Sequence, residues 1–337
     1  MIHCPPALSP QLSRMIWMTI RSVVNFPVPV FFFLAGYFAW SSYSKFSSGL
    51  SYIVQRGWRL IVPYTIWSFF YLAFSSDKSS CGLILAQYFT GRTVTPFYFI
   101  VVLFQLTLVT PLLMELDRRK SKLLYVAYSL QFVMLALTYI IVLTANSVPY
   151  YWRSLPFFGV GFYVLGIQLR SLNDSNDNSS NAENIRREYS SGIFVRVFTS
   201  PFFLLAAFLI NWLESYLMLK NNISLSFAVS QSRIGGILYS YALIFTIYRY
   251  RHIDLRNFLK RILVPVGGIS YGIFYVHIKA ISVGSRLFSR VFPNSPWLIT
   301  YVSVLIFALS LSILFITGTR MILRGEKGKL LLRAVGF

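Results

Sequence analysis

Residues 297–319 read WLITYVSVLIFALSLSILFITGT, a run without a charged side chain. About 20 apolar residues in a helix cross the hydrocarbon core of a bilayer. Lipid offers no partner to an unpaired backbone N–H or C=O, so such a run crosses as a helix. Further predominantly apolar stretches, with few charges, lie at 23–43, 59–76, 95–116, 122–144, 150–170, 193–213, 226–249 and 262–283, which predicts nine spans. The composition agrees: 56% of the 337 residues are hydrophobic and 12% are charged. A soluble domain carries about 25% charged residues, and one aqueous core cannot hide this much apolar surface. A soluble globular enzyme, a disordered chain and a disulfide-stapled secreted domain are excluded. No β-barrel alternation and no internal repeat occur, so the fold class is all-α. It is a polytopic transmembrane helix bundle, read as a single membrane domain over 1–337.

The segments between spans are short. The longest polar one, 171–192, is rich in Asn and Ser and reads as a flexible loop, since it cannot bury a core. Residues 12–24 set Arg14 and Arg21 among Met15, Ile16, Trp17 and Ile20, which reads as a short interfacial helix. The net charge of +21 takes its meaning from position. One alternating set of loops holds 20 bases, including Arg320, Arg324, Lys327, Lys329 and Arg333, and the other set holds nine. An excess of Lys and Arg marks the cytoplasmic side, which puts the C-terminus inside and Met1 outside. Nothing before the first span carries Met1 across, so a further helix is expected upstream, making ten spans in all. The basic loops meet anionic membrane lipids. No basic stripe on a polar fold is available to nucleic acid. Cys4 and Cys81 have neither disulfide nor zinc spacing, and no metal is expected.

Ionisable side chains at membrane depth are costly and are therefore candidates for function. His277 falls about 15 residues, roughly 22 Å, past the cytoplasmic start of its span near Ile262, in the outer half. It either serves a reaction or is hydrogen-bonded within the bundle. Lys279 either lines the same space or snorkels to the outer interface. His3 would stand at the outer end of the expected upstream helix, on the His277 side. A neutral imidazole there takes a proton from a hydroxyl nucleophile; the plain alternative is a loop residue. His252, among Arg249, Arg251 and Arg256, reads as solvated. Arg56 and Arg59, three residues apart at a cytoplasmic helix start, share a face. They either grip phosphates through bidentate hydrogen bonds or only fix topology. Pro63 follows, where a kink opens room. No Walker loop, GxSxG, HExxH or pair of carboxylates within a span occurs, and the last absence weighs against a proton-coupled carboxylate transporter.

Four segments stand in order along the chain. The first is Val28-Pro29-Val30-Phe31-Phe32-Phe33-Leu34-Ala35-Gly36-Tyr37, and the second is Arg56-Gly57-Trp58-Arg59-Leu60-Ile61-Val62-Pro63-Tyr64. The third is Thr95-Pro96-Phe97-Tyr98-Phe99 with Thr110-Pro111-Leu112-Leu113, and the fourth is Gly268-Ile269-Ser270-Tyr271-Gly272 with Tyr275 and His277. Together they resemble the acyltransferase 3 family of integral membrane O-acyltransferases, with Ala35 where Ser is usual and Phe97-Tyr98 in place of a Trp. That family also carries an Arg and a His in its first helix. His3 stands where that His falls, and the Arg would lie upstream of Met1.

The resemblance implies a membrane O-acetyltransferase of the bacterial inner membrane. Its donor would be acyl-CoA, in particular acetyl-CoA, and its acceptor a sugar hydroxyl of a surface polysaccharide or lipid-linked saccharide. By the same resemblance His3 is the general base, His277 and Tyr271 line the site, and Arg56 and Arg59 hold the donor's phosphates. The rival reading is a flippase or exporter of a lipid-linked saccharide that performs no chemistry. A non-catalytic partner in a polysaccharide assembly complex is the third.

Overall fold

The computed structural model describes residues 11–74, 81–145, 148–177, 200–251, 257–293 and 295–337. Every regular element among them is helical. In chain order these are α1 (Gln11–Val23), α2 (Pro27–Tyr43), α3 (Gly49–Ala73), α4 (Cys81–Phe89), α5 (Tyr98–Arg118), α6 (Leu124–Ala145) and α7 (Phe157–Asp177). There follow α8 (Pro201–Lys220), α9 (Leu225–Ala228), α10 (Ile234–Arg249), α11 (Asn257–Val291), α12 (Trp297–Ile322) and α13 (Glu326–Val335). The all-α polytopic bundle expected from hydropathy is what forms.

Among the described residues, seven helical stretches are long and apolar enough to cross a membrane, where nine were expected. The two others are helical but fall short of that standard. The stretch read as 59–76 belongs to α3, whose Arg56, Arg59 and Pro63 make it too polar. The stretch read as 226–249 shrinks to α10, 16 residues long. That is roughly 24 Å, less than the hydrocarbon core of about 30 Å.

Three local expectations change with the structure. The helix placed at 193–213 starts at Pro201 and runs to Lys220. Ser200 sets that start, its Oγ accepting from the Phe203 N–H at 3.1 Å, with Pro201 preorganised for the first turn. Residues 193–199, including Arg196, lie outside the described residues. The loop expected from 171 begins later, because α7 continues to Asp177. Arg170 and Asp174 pair at 2.9 Å there, and Trp40 Nε1 donates to Asp174 at 2.8 Å. The helix read at 12–24 exists as α1, and one face of it is packed inside the larger unit: Trp17, Met18, Arg21 and Ser22 are buried. Trp212 Nε1 donates to Thr19 Oγ1 and Asn211 Nδ2 to the Ser22 carbonyl, so α8 supplies partners that an interfacial helix takes from water. Amphipathicity reports a polar face without saying what satisfies it.

The chain forms two compact units. Among the described residues one holds 58–74 with 257–337, and the other holds 11–57 with 81–251. In the larger unit α2 and α7 lie against each other through glycines. A Cβ on Gly36 would sit 2.0 Å from the Tyr163 carbonyl oxygen, and one on Gly166 would sit 2.1 Å from that of Phe33. Small residues let helix backbones approach where no water drives them together. Gly166→Ala should therefore lower the stability of this unit by about 1–3 kcal/mol, the usual range for overpacking. Thermal unfolding in detergent checks it, with Gly267→Ala as the control because a Cβ there meets nothing within 4 Å.

In the smaller unit α11 packs along α12 through Ala280, Ile281, Val304 and Ala308. Gly325, at φ 110°, then turns the chain into α13. That turn is tight: a Cβ on Gly328 would lie 2.4 Å from the Leu323 carbonyl oxygen.

Candidate active site

Tyr271 and Tyr275 are four residues apart on α11 and share a face, with their hydroxyls 2.9 Å apart. The pair is built on a consequence of Pro63. In a helix the Arg59 carbonyl would accept from the N–H of residue 63, and proline has none. The Tyr271 hydroxyl donates to that carbonyl instead, at 3.4 Å. A proline in α3 and a tyrosine in α11 are thus joined by one orphaned acceptor. Because Tyr271 gives its proton to the carbonyl, Tyr275 is the donor between the two hydroxyls.

Tyr275 is fully buried. The Trp67 ring stacks on it with centroids 6.0 Å apart and planes 9° off parallel. Tyr71 donates its hydroxyl to the Tyr275 carbonyl at 2.8 Å. Below the pair lie the last residues of the chain. A Cβ on Gly272 would stand 2.9 Å from the Phe337 ring, so only glycine leaves room for it. Gly336, at φ 84°, lies against Pro63, Tyr271 and Tyr275.

His277 is half-buried on the same helix. Its Nδ1 is 3.0 Å from the Ile273 carbonyl. A carbonyl only accepts, so in the neutral ring Nδ1 carries the hydrogen and Nε2 keeps the lone pair. Six residues turn it about 240° around the helix from Tyr271, so it stands on a different face from the tyrosine pair. Lys279 lies over the rings of Tyr71 and Phe74, at 5.8 and 5.3 Å from their centroids, at the end of α3 away from Arg59. That is a cation–π seat for the ammonium. His3 and His252 lie outside the described residues.

Arg56 and Arg59 occupy successive turns of α3, with different surroundings. Arg59 is exposed beside exposed Trp58. Arg56 Nη2 donates to Ser42 Oγ at 2.6 Å in the larger unit. Tyr52, one turn before it, is buried, and the Thr110 and Tyr163 hydroxyls are hydrogen-bonded to each other at 2.7 Å. Sequence reasoning missed this support for Arg56. The signal available was Tyr52 four residues before Arg56, with Thr110 in the Thr-Pro-Leu-Leu segment. It also missed Trp67 and Tyr71, whose aromatic character alone marks no site.

Among the described residues, seven helical stretches long and apolar enough to cross a membrane define an integral membrane protein, and a tyrosine pair with one buried member is tied to its arginine-bearing helix. The family model described as an acyltransferase domain, Acyl_transf_3, matches residues 1–317, and the chain belongs to that family. It is a membrane acyltransferase. No curated protein and no solved structure matches it.

Proposed function

We propose that this acyltransferase carries an acetyl group from acetyl-CoA to a sugar hydroxyl of a bacterial surface glycan. It works in the inner membrane with its C-terminus in the cytoplasm. The observation that carries the reading is the link from Pro63 through the Arg59 carbonyl to Tyr271, which ties an arginine turn to the Ser-Tyr-Gly segment. The charge asymmetry supports the orientation. Arg21 and Arg233, both counted on the outer side, are buried within the protein, which leaves seven outer bases against 20.

In the proposed reaction the acceptor oxygen attacks the thioester carbonyl, the C–S bond breaks, and CoA leaves as the thiol with the acceptor's proton. His3 is the base that receives that proton, and His277 Nε2 is the second acceptor among the candidate residues. The Tyr271 hydrogen bond to Arg59 is long and can be exchanged for the developing oxyanion, the more strongly charged acceptor. Arg56 and Arg59 hold the donor's phosphates.

Labelled acetyl-CoA supplied to membranes containing the protein tests this. Label should enter the saccharide, with one new O-acetyl signal in its NMR spectrum. Transfer of unmodified saccharide across the bilayer would instead establish the flippase reading. Replacing both Arg56 and Arg59 with Gln should raise the KM for acetyl-CoA at least about tenfold, since charge-assisted hydrogen bonds contribute about 1.5–3 kcal/mol each. Arg59→Lys should rescue poorly if the grip is bidentate. Normal insertion with unchanged KM would leave both arginines a purely topological role.

A further inference from the structure

The helix α13 begins four residues after α12 ends at Ile322, so covalent attachment holds it at the membrane face where that span stops. The family match ends at residue 317 and does not reach it. Lys327, Lys329 and Arg333 make it basic, Arg320 and Arg324 precede it, and Glu326 is the only acid between 320 and 337. One side is docked on its own unit. Gly328 lies against Leu323, and the Val335 carbonyl accepts from Trp67 Nε1 at 2.9 Å. Gly336 and Phe337 then rest on Tyr271, Gly272 and Tyr275.

The rest of the helix is exposed and mixed: Leu330 is 64% exposed and Leu331 54%, alongside exposed Lys327, Lys329 and Arg333. Two bare leucines beside three cations would be a liability in water. At a bilayer surface they have one natural environment, with leucines in the acyl boundary and cations among anionic headgroups. We propose that α13 is an interfacial helix that binds anionic phospholipid headgroups at the membrane face where α12 ends. The lipid-facing helix and the seat of Gly336 against the tyrosine pair are one continuous segment, so lipid contact holds that side of the pair in place. The lipid contact itself does not depend on which acyl donor or acceptor is used.

The test uses the full chain with Cys4 and Cys81 replaced by Ser and Leu331→Cys as the reporter. The protein is placed in lipid discs of phosphatidylcholine alone or of phosphatidylcholine and phosphatidylglycerol in equal parts. A membrane-impermeant maleimide should label Cys at this position at least about tenfold more slowly in the anionic bilayer, because each cation near such a surface adds to binding. Changing Lys327, Lys329 and Arg333 to Gln should bring the two rates together. Leu330→Cys in place of Leu331→Cys should give the same contrast, so the outcome does not hang on one leucine. Equal labelling in both bilayers, whether fast or slow, overturns the proposal and leaves the acyltransferase reading untouched.

Discussion

Glu214→Ala should destabilise the larger unit by about 3–5 kcal/mol, because it leaves a buried guanidinium without its counter-ion. Arg233 is completely buried. Its Nη1 donates to Glu214 Oε2 at 3.0 Å, its Nη2 to Asn211 Oδ1 at 2.7 Å and its Nε to the Ser230 carbonyl at 3.0 Å. The carboxylate is equally occupied. Oε2 also accepts from the Gly235 N–H at 2.8 Å, and Tyr139 donates to Oε1. Three segments, α6, α8 and the start of α10, meet at this one pair. Thermal unfolding in detergent is the measurement. Replacing both members together, Glu214→Leu with Arg233→Met, should recover much of the loss, since a buried pair exchanged for apolar groups is often near neutral. A single Glu214→Ala variant that melts like the parent would show that Arg233 finds solvent instead.

The second large effect concerns His277. His277→Ala should reduce acyl transfer at least about 100-fold, the lower range for loss of a proton-transferring group. Membrane insertion should be unaffected, because the residue lies inside α11 and outside the loops that set orientation. His277→Gln separates the two roles open to it. The amide can still donate toward the Ile273 carbonyl, but it cannot titrate. Loss of activity in both variants with normal insertion assigns proton transfer. A Gln variant close to the parent in activity assigns His277 to holding the helix.

Much of the architecture was legible in the chain because hydropathy depends on each residue's own transfer free energy. A run such as 297–319 needs no partner to be read as a span, and the corresponding helix, Trp297–Ile322, is where the run predicts. Pattern reading failed where a residue's meaning depended on its neighbour in space. Residues 12–24 are as amphipathic as an interfacial helix, but Thr19 and Ser22 find their partners on α8, 193 and 189 residues away. The start of α8 was misplaced because apolar residues before Pro201 looked continuous with it, although the Ser200 cap was visible as a Ser-Pro pair.

The site divides along the same line. Arg56, Arg59, Tyr271 and His277 were identifiable as polar groups in apolar surroundings, because charge and hydrogen-bonding capacity are properties of the residue. The orphaned Arg59 carbonyl was implicit too, since Pro63 four residues on removes its donor wherever α3 lies. What fills that vacancy was beyond the sequence: Tyr271 is 212 residues away, and only packing of α11 against α3 selects it. Likewise Gly272 reads as a flexible position until Phe337 is found against it. By itself the sequence determined an all-helical membrane protein, its family and its candidate polar residues. The tertiary structure decided which groups meet, because a hydrogen bond between distant residues depends on two helix positions and no local propensity encodes both.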